Sequence, residues 1–185
     1  MTAWIRTRRG KLIEPLNLRQ EDVDVEEMAW ALSNINRFNG HARYPINVAH
    51  HSVWVSRLAE VFTAEDKRTH ARQGLFHDGS EFVLGDVTKW LKRTPEFAAY
   101  REAEDRSQAV IYRATNCPIE MLGMVKTADD LMVRVEGEYS WGPNWSSVPG
   151  YGPMSPTQRA FVEEWEPWDS RRSFDMFMRR HEEVR

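Results

Sequence analysis

Residues 47–62 read NVAHHSVWVSRLAEVF. Val48, His51, Val55, Leu58 and Phe62 recur at three- and four-residue intervals, the period of one helix face, and Asn47 is placed to cap the N-terminus. The same period extends outward in both directions. Upstream, Val25, Met28, Ala29 and Leu32 follow the capping candidates Asp22 and Asp24. Residues 37–45, rich in Asn, Gly and Pro, form a loop between these two helices. Downstream, a third helix starts near Thr63 and carries Ala71, Leu75 and Asp78 on one stripe. Asp86 is placed to cap a short helix through Trp90, and Thr94-Pro95 opens a long one to about Asn116. Pro118 opens another, with Ile119, Leu122, Val125, Asp129, Met132 and Val133 facing inward.

Residues 140–156 gather glycines and prolines around Trp141, Trp145 and Tyr151 and read as a long loop, of the kind that serves as a lid or, through exposed aromatics, an interface. Thr157 caps a helix to Trp165, and a last amphipathic helix carries Phe174, Phe177 and Met178. At the start, Trp4–Thr7 and Lys11–Ile13 flank Arg8-Arg9-Gly10 and predict a hairpin. The fold class expected is all-α, a helical bundle with a small N-terminal β-hairpin, in one domain over residues 1–185 with its core at about 21–140.

The 185 residues are 41% hydrophobic and 29% charged, the balance of a soluble globular protein with room for a core. A net charge of -3 argues against an extended nucleic-acid footprint. The single cysteine, Cys117, excludes an internal disulfide and reads as a small core residue. No apolar leader and no run long enough to span a bilayer is seen, so a cytoplasmic protein without a membrane partner is expected.

Chemistry is signalled by ionisable residues on stripes that should be apolar. His51 sits among Val48, Val55 and Leu58; Asp78 follows Ala71 and Leu75; Asp129 lies among Val125, Met132 and Val133. A buried carboxylate is costly unless paired or bound to a cation, and one divalent metal would relieve His51, His77, Asp78 and Asp129 together. This mixed N/O donor set suits Mn, Co, Fe, Ni or Zn, with Mg also possible, and leaves positions for water and a substrate oxygen. Glu81 lies four residues from His77 and three from Asp78, a spacing that suits a carboxylate handling a proton beside the metal. Arg37, Lys89 and Lys92 could neutralise phosphate oxygens, and Phe38 and Trp90 could stack on a base. Each taken singly has a plainer reading: a satisfied core histidine, an N-cap for Asp86, core aromatics. His50 points elsewhere on its helix, and of His41, His70 and His181 only His41 falls near the proposed pocket. The joint pattern is much stronger than any member.

The order H…HD…D, in VAHHSVWVSRLAE, GLFHDGSEFVLGDVTKWLK and VKTADD, resembles the HD-domain phosphohydrolases. The HDGSE…GD segment is similar to the YfbR-type 5′-deoxynucleotidases. WIRTRRGKLIEPLNL and ALSNINRFNGHARYPINVAHHS are closer to phage-type dATP triphosphohydrolases. The resemblance covers residues 3 to 135 and implies roles position by position. His51, His77, Asp78 and Asp129 would hold one metal, with Asp129 preferred over Asp130; Asp78 and Glu81 would be catalytic. Asp86 would bind the sugar 3′-hydroxyl, Arg37 and Lys92 the phosphates, and Phe38 the base, with His41 near the base pocket. It also implies a homo-oligomer, dimer or hexamer. The activity expected is hydrolysis of the 5′ α-phosphoester of a 2′-deoxynucleotide: a dNTP, dATP by resemblance, to deoxynucleoside and triphosphate, or alternatively a dNMP. A non-catalytic metal- or nucleotide-binding module is the contrasting reading. A helical nucleic-acid binder is disfavoured by the charge.

Overall fold

The computed structural model describes residues 3–142, 145 and 154–185. It is a helical bundle with a two-stranded antiparallel hairpin at the N-terminus, β1 (Ile5–Arg6) pairing with β2 (Leu12–Ile13) in the register Ile5–Ile13. Ile13 enters the core, while Arg8 and Arg9 pin the turn onto Asp24, Glu26 and Glu27 at the start of α1 (Val25–Asn34). Asp24 caps α1 as expected, accepting from the amides of Glu26 and Glu27.

Helix α2 (Val48–Phe62) is the central element and packs against α1, α3 (Lys67–Phe76), α7 (Gly123–Trp141) and α9 (Ser170–Val184). Asn47 caps it through the His50 amide, 2.9 Å away. Its own amide group donates to Ser173 Oγ on α9 (2.9 Å). Just before this cap, Arg37 N donates to Ile46 O (2.8 Å) and Val48 N to Ile35 O (3.0 Å), fastening the loop that carries Arg37 to the head of α2. Against α2 lies α3, at a separation that only glycine permits. A Cβ at Gly74 would lie 2.9 Å from Ser56 Cα and 3.1 Å from Val55 O. Ser56 Oγ completes the contact by donating to Ala71 O (2.6 Å).

Several boundaries differ from the sequence reading. Helix α3 begins at Lys67, not Thr63, because Thr63 Oγ1 donates to Glu65 O while Asp66 supplies the cap. Asp86 caps nothing; the short helix α5 (Lys89–Lys92) follows Thr88, and Asp86 turns to a cavity instead. Helix α7 starts at Gly123 rather than Pro118. The reason is the buried Gln73, which donates to Pro118 O (2.9 Å) and Glu120 O (2.8 Å) and accepts from Leu122 N (2.7 Å), taking up main-chain groups of the segment.

Helix α7 continues through Trp141, into what the sequence assigns to a loop. Of that loop, residues 143, 144 and 146–153, Tyr151 among them, lie outside the described residues. Trp145 is buried rather than exposed: it stacks on Trp141, ring centres 5.0 Å apart, in a notch where a Cβ on Gly137 would meet its indole at 2.0 Å. Helix α8 (Pro156–Phe161) is capped by Ser155 and is shorter than the stretch to Trp165. Asp169 caps α9, whose Phe177 and Val184 are buried. Among the described residues no helix is long and apolar enough to cross a membrane.

Candidate active site

Three helices bring the cluster together. His51 comes from the first turn of α2, His77 from the C-terminal cap of α3 with Asp78 following it, and Asp129 from the second turn of α7. His51 and His77 are buried, and Asp78 and Asp129 are partly open on one side. His51 Nε2 lies 3.3 Å from His77 Nε2, 3.7 Å from Asp78 Oδ2 and 3.3 Å from Asp129 Oδ1. His77 Nε2 lies 3.2 Å from Asp78 Oδ2 and 3.9 Å from Asp129 Oδ1.

The other ring nitrogens fix which atoms face inward. His77 Nδ1 donates to Gly74 O (2.9 Å), and His51 Nδ1 donates to Glu136 Oε1 (2.8 Å). Each Nε2 is therefore left to point its lone pair at the other and at the carboxylates. Two lone pairs and two carboxylates at such distances repel unless a cation or a proton lies between them. Three of these spacings, 3.2 to 3.3 Å, match neighbouring ligands in a shell with bonds of about 2.0–2.2 Å, which are roughly 3 to 3.5 Å apart, and the other two are wider by a few tenths of an ångström. His51, His77 and Asp78 thus form a buried group that can hold a metal ion, with Asp129 against both histidines. Orientation of a ligand histidine by a carboxylate or carbonyl on its far nitrogen is common at metal sites.

Electrostatics follow from this packing. Burial and the Arg37 guanidinium push the His51 pKa down, but Glu136 and Asp129 outweigh them and raise it to about 9. Without a cation, a proton therefore takes the place between His51 and Asp129. Burial would raise Asp78 and Asp129; the histidines hold both well below the ordinary carboxylate range. Glu81 goes the other way. It heads α4 (Glu81–Leu84), is buried, and is raised well above its ordinary value by burial and by the negative charges of Asp78 and Asp86. Lys92 Nζ stands 3.5 Å from its Oε1. Burial also raises Asp86, helped by Asp78 and opposed by Arg37.

The cluster opens into a cavity of about 300 Å³. Of the residues singled out for substrate, Arg37, Phe38, Asp86, Lys89, Trp90 and Lys92 line it, as do Asp78, Glu81 and Asp129. His41 is exposed and is not among the lining residues. Arg93, Arg101 and Lys126 add positive charge that sequence reasoning missed, giving six basic against four acidic side chains in the wall. Lys126 Nζ donates to Asp129 Oδ2 (2.9 Å) and Asp130 Oδ1 (2.8 Å), so it grips the Asp129 oxygen that faces away from the histidines. Asp130 also pairs with Lys89 (3.4 Å), outside the cluster. Phe38 holds a φ of 56° and Asn39 one of 52°, left-handed values unusual for a bulky side chain. Edge-to-face contacts with Trp141 (5.3 Å) and Trp145 (5.8 Å) brace the Phe38 ring in that conformation.

The residue most clearly missed is Glu136. It is fully buried on α7, with Oε1 on His51 and Oε2 accepting from Arg37 Nε (2.9 Å). Arg37 NH1 reaches Asp78 Oδ2 (3.3 Å). Burial would raise Glu136, but Arg37 and His51 keep its pKa low. Glu136 stands seven residues, two helical turns, after Asp129, so the criterion that found Asp129 applies to it equally. His50, by contrast, packs between Trp165 (5.3 Å) and Trp168 (4.5 Å), away from the cluster, and burial lowers its pKa to about 3.

No family model matches the chain. Two curated proteins do. Uncharacterized protein YfdR of Escherichia coli (strain K12) is 31% identical over 134 residues, covering 72% of this chain and 70% of that protein. Uncharacterized protein RCAP_rcc00048 of Rhodobacter capsulatus is 30% identical over 146 residues, covering 74% of this chain and 72% of that protein. At that identity, over more than two thirds of each sequence, the chain belongs to the family that contains YfdR and RCAP_rcc00048.

Proposed function

We propose that this chain is a metal-dependent phosphohydrolase of the HD type, cleaving the 5′ α-phosphoester of 2′-deoxynucleotides. The observation that carries the reading is the convergence of His51, His77, Asp78 and Asp129 on a cavity whose charged lining side chains are six basic and four acidic. The four would hold one divalent transition metal. Such a cation supplies Lewis acidity, activating water and polarising a phosphoryl group.

The chain's own residues would do the rest. Arg37 and Lys92 bind phosphate oxygens and offset charge developing on phosphorus. Glu81, whose pKa burial and its acidic neighbours raise, would pass its proton to the departing 5′-oxygen as the P–O5′ bond breaks, while the attacking water forms the new P–O bond and releases its surplus proton to solvent, from which Glu81 is reprotonated. Asp86, in the same cavity wall, would accept from a sugar hydroxyl. Phe38, held rigid by Trp141 and Trp145, and Trp90 at the rim flank the base. The excess of six basic over four acidic side chains in the wall is the ground for favouring the triphosphate over the monophosphate, since three phosphates bring more charge to neutralise.

The test is one panel: purified protein with Co, Mn or Zn, each dNTP and dNMP, and product identification. Deoxynucleoside and triphosphate are expected. Release of phosphate from dNMPs alone would replace the triphosphohydrolase with a 5′-deoxynucleotidase. No turnover by metal-loaded protein would leave a binding module and refute both.

A further inference from the structure

Glu136 does two things at once. Its Oε1 receives His51 Nδ1 at 2.8 Å and its Oε2 receives Arg37 Nε at 2.9 Å, with no exposed surface on the carboxylate. Arg37 in turn places NH1 3.3 Å from Asp78 Oδ2, the oxygen that faces both histidines. The contacts close a ring: His51, Glu136, Arg37, Asp78 and back to His51. Resting on the metal-and-phosphate reading above, we infer that Glu136 is a positioning residue that couples cation binding to phosphate binding through Arg37.

The physical argument is competition for one oxygen. A cation among the histidines draws on the lone pairs of Asp78 Oδ2, which Arg37 NH1 also uses. As the cation arrives, the Arg37–Asp78 contact weakens and NH1 becomes available to an anion in the cavity. Arg37 does not swing away, because its Nε remains fixed on Glu136. The guanidinium is thus released toward phosphate yet kept in place, and its fork geometry allows this where a lysine would not. Linkage makes the effect reciprocal: if the cation tightens phosphate binding by some factor, phosphate tightens cation binding by the same factor, typically about 5- to 150-fold for coupled sites. Direct attraction between cation and phosphate contributes as well, so only the share lost on mutation belongs to Glu136.

The experiment is calorimetric titration of the metal-stripped 185-residue chain with Mn²⁺, with and without saturating inorganic phosphate, in wild type, Glu136→Gln and Arg37→Met. Glutamine offers one acceptor oxygen where the carboxylate offers two, so it cannot hold His51 and Arg37 together. In Glu136→Gln we expect Mn²⁺ binding without phosphate to weaken about 10- to 100-fold, as for other residues that orient a metal ligand. We also expect the phosphate-induced tightening to fall at least about fivefold below wild type, the lower end of ordinary coupling. Arg37→Met should show the same loss of coupling but the opposite effect on the cation alone, binding Mn²⁺ more tightly because a competitor for Asp78 Oδ2 is gone. A merely structural role would weaken Mn²⁺ in both variants. Arg37→Lys, which keeps the buried charge but cannot reach both carboxylates, replaces the methionine variant should that one not fold, and must also lose coupling. Wild-type coupling in both variants, or weaker Mn²⁺ binding in Arg37→Met, would overturn the inference. Nucleotide turnover is not the readout. Coupling lost without turnover by wild type would sink the proposed activity alone; turnover with coupling intact in the variants would sink this inference alone.

Discussion

Titrating His51 gives the sharpest test of the cluster. In the metal-free protein its pKa is raised to about 9 from an ordinary 6.5, because the pull of Glu136 and Asp129 exceeds the opposing effects of burial and Arg37. The proton is therefore bound more tightly in the folded chain than in the unfolded one. Below pH 6.5 both states carry it and the stabilisation is fully present; it is lost as pH rises through 9. The gap corresponds to about 3 kcal/mol, and for a chain of this size to a fall in melting temperature of about 6–12 °C. A cation must displace this same proton, so its affinity should rise about tenfold per pH unit below 9, or about 100-fold from pH 7 to 9. The assay is thermal melting of chelator-treated protein from pH 6 to 9.5, with Mn²⁺ calorimetry at matching points. Other raised acids, Glu81 and Asp86, also weaken the fold as pH rises, so the difference between wild type and His51→Gln isolates the histidine. Identical melting curves for the two proteins across this window, or a Mn²⁺ affinity indifferent to pH, would refute the reasoning.

Other perturbations separate the roles of the surrounding residues. On the proposed activity, Glu81→Gln should lower kcat on a hydrolysed deoxynucleotide by about 10²- to 10⁴-fold while leaving Mn²⁺ affinity within a fewfold, measured by steady-state kinetics and calorimetry. Lys126→Met frees the outer oxygen of Asp129 and should weaken Mn²⁺ binding about 10-fold or more, with little change in melting temperature of the metal-free protein. Gly137→Ala drives a methyl group into the Trp145 indole; a loss of about 1–3 kcal/mol in denaturant unfolding is expected, with quenching or shift of tryptophan fluorescence as the stacked pair separates.

Much of this arrangement was legible in the sequence, for a specific reason. His51, Asp78 and Asp129 each break an apolar stripe whose period is long and regular, and such interruptions stand out. The fold class followed from the same stripes, and Asn47 and Asp24 cap helices as short polar residues before apolar runs should. What was hidden depends on partners distant in the chain. The late start of α7 is set by Gln73, 45 to 49 residues upstream, and nothing local to Pro118 reveals it. Asp86 has the composition of an N-cap, yet its side chain faces the cavity with Arg37 and Lys92, a choice made by tertiary electrostatics. In the sequence Glu136 is one glutamate near the end of a helix that also carries Glu138. Its significance appears only when Arg37, 99 residues away, is seen against it.

Gly74 would make the main chain itself a gauge for any ion held by the paired imidazoles. Its missing side chain lets two helices touch, and its carbonyl oxygen aims the imidazole of His77, so a single residue fixes both the distance and the angle between the paired imidazoles. Discrimination among metals would then depend less on donor identity, which many ions tolerate, than on how far apart these helices are allowed to stand. A methyl group at this position, wedged against Ser56, would widen the aperture beyond 3.3 Å and favour the wider ions over zinc without altering one ligand.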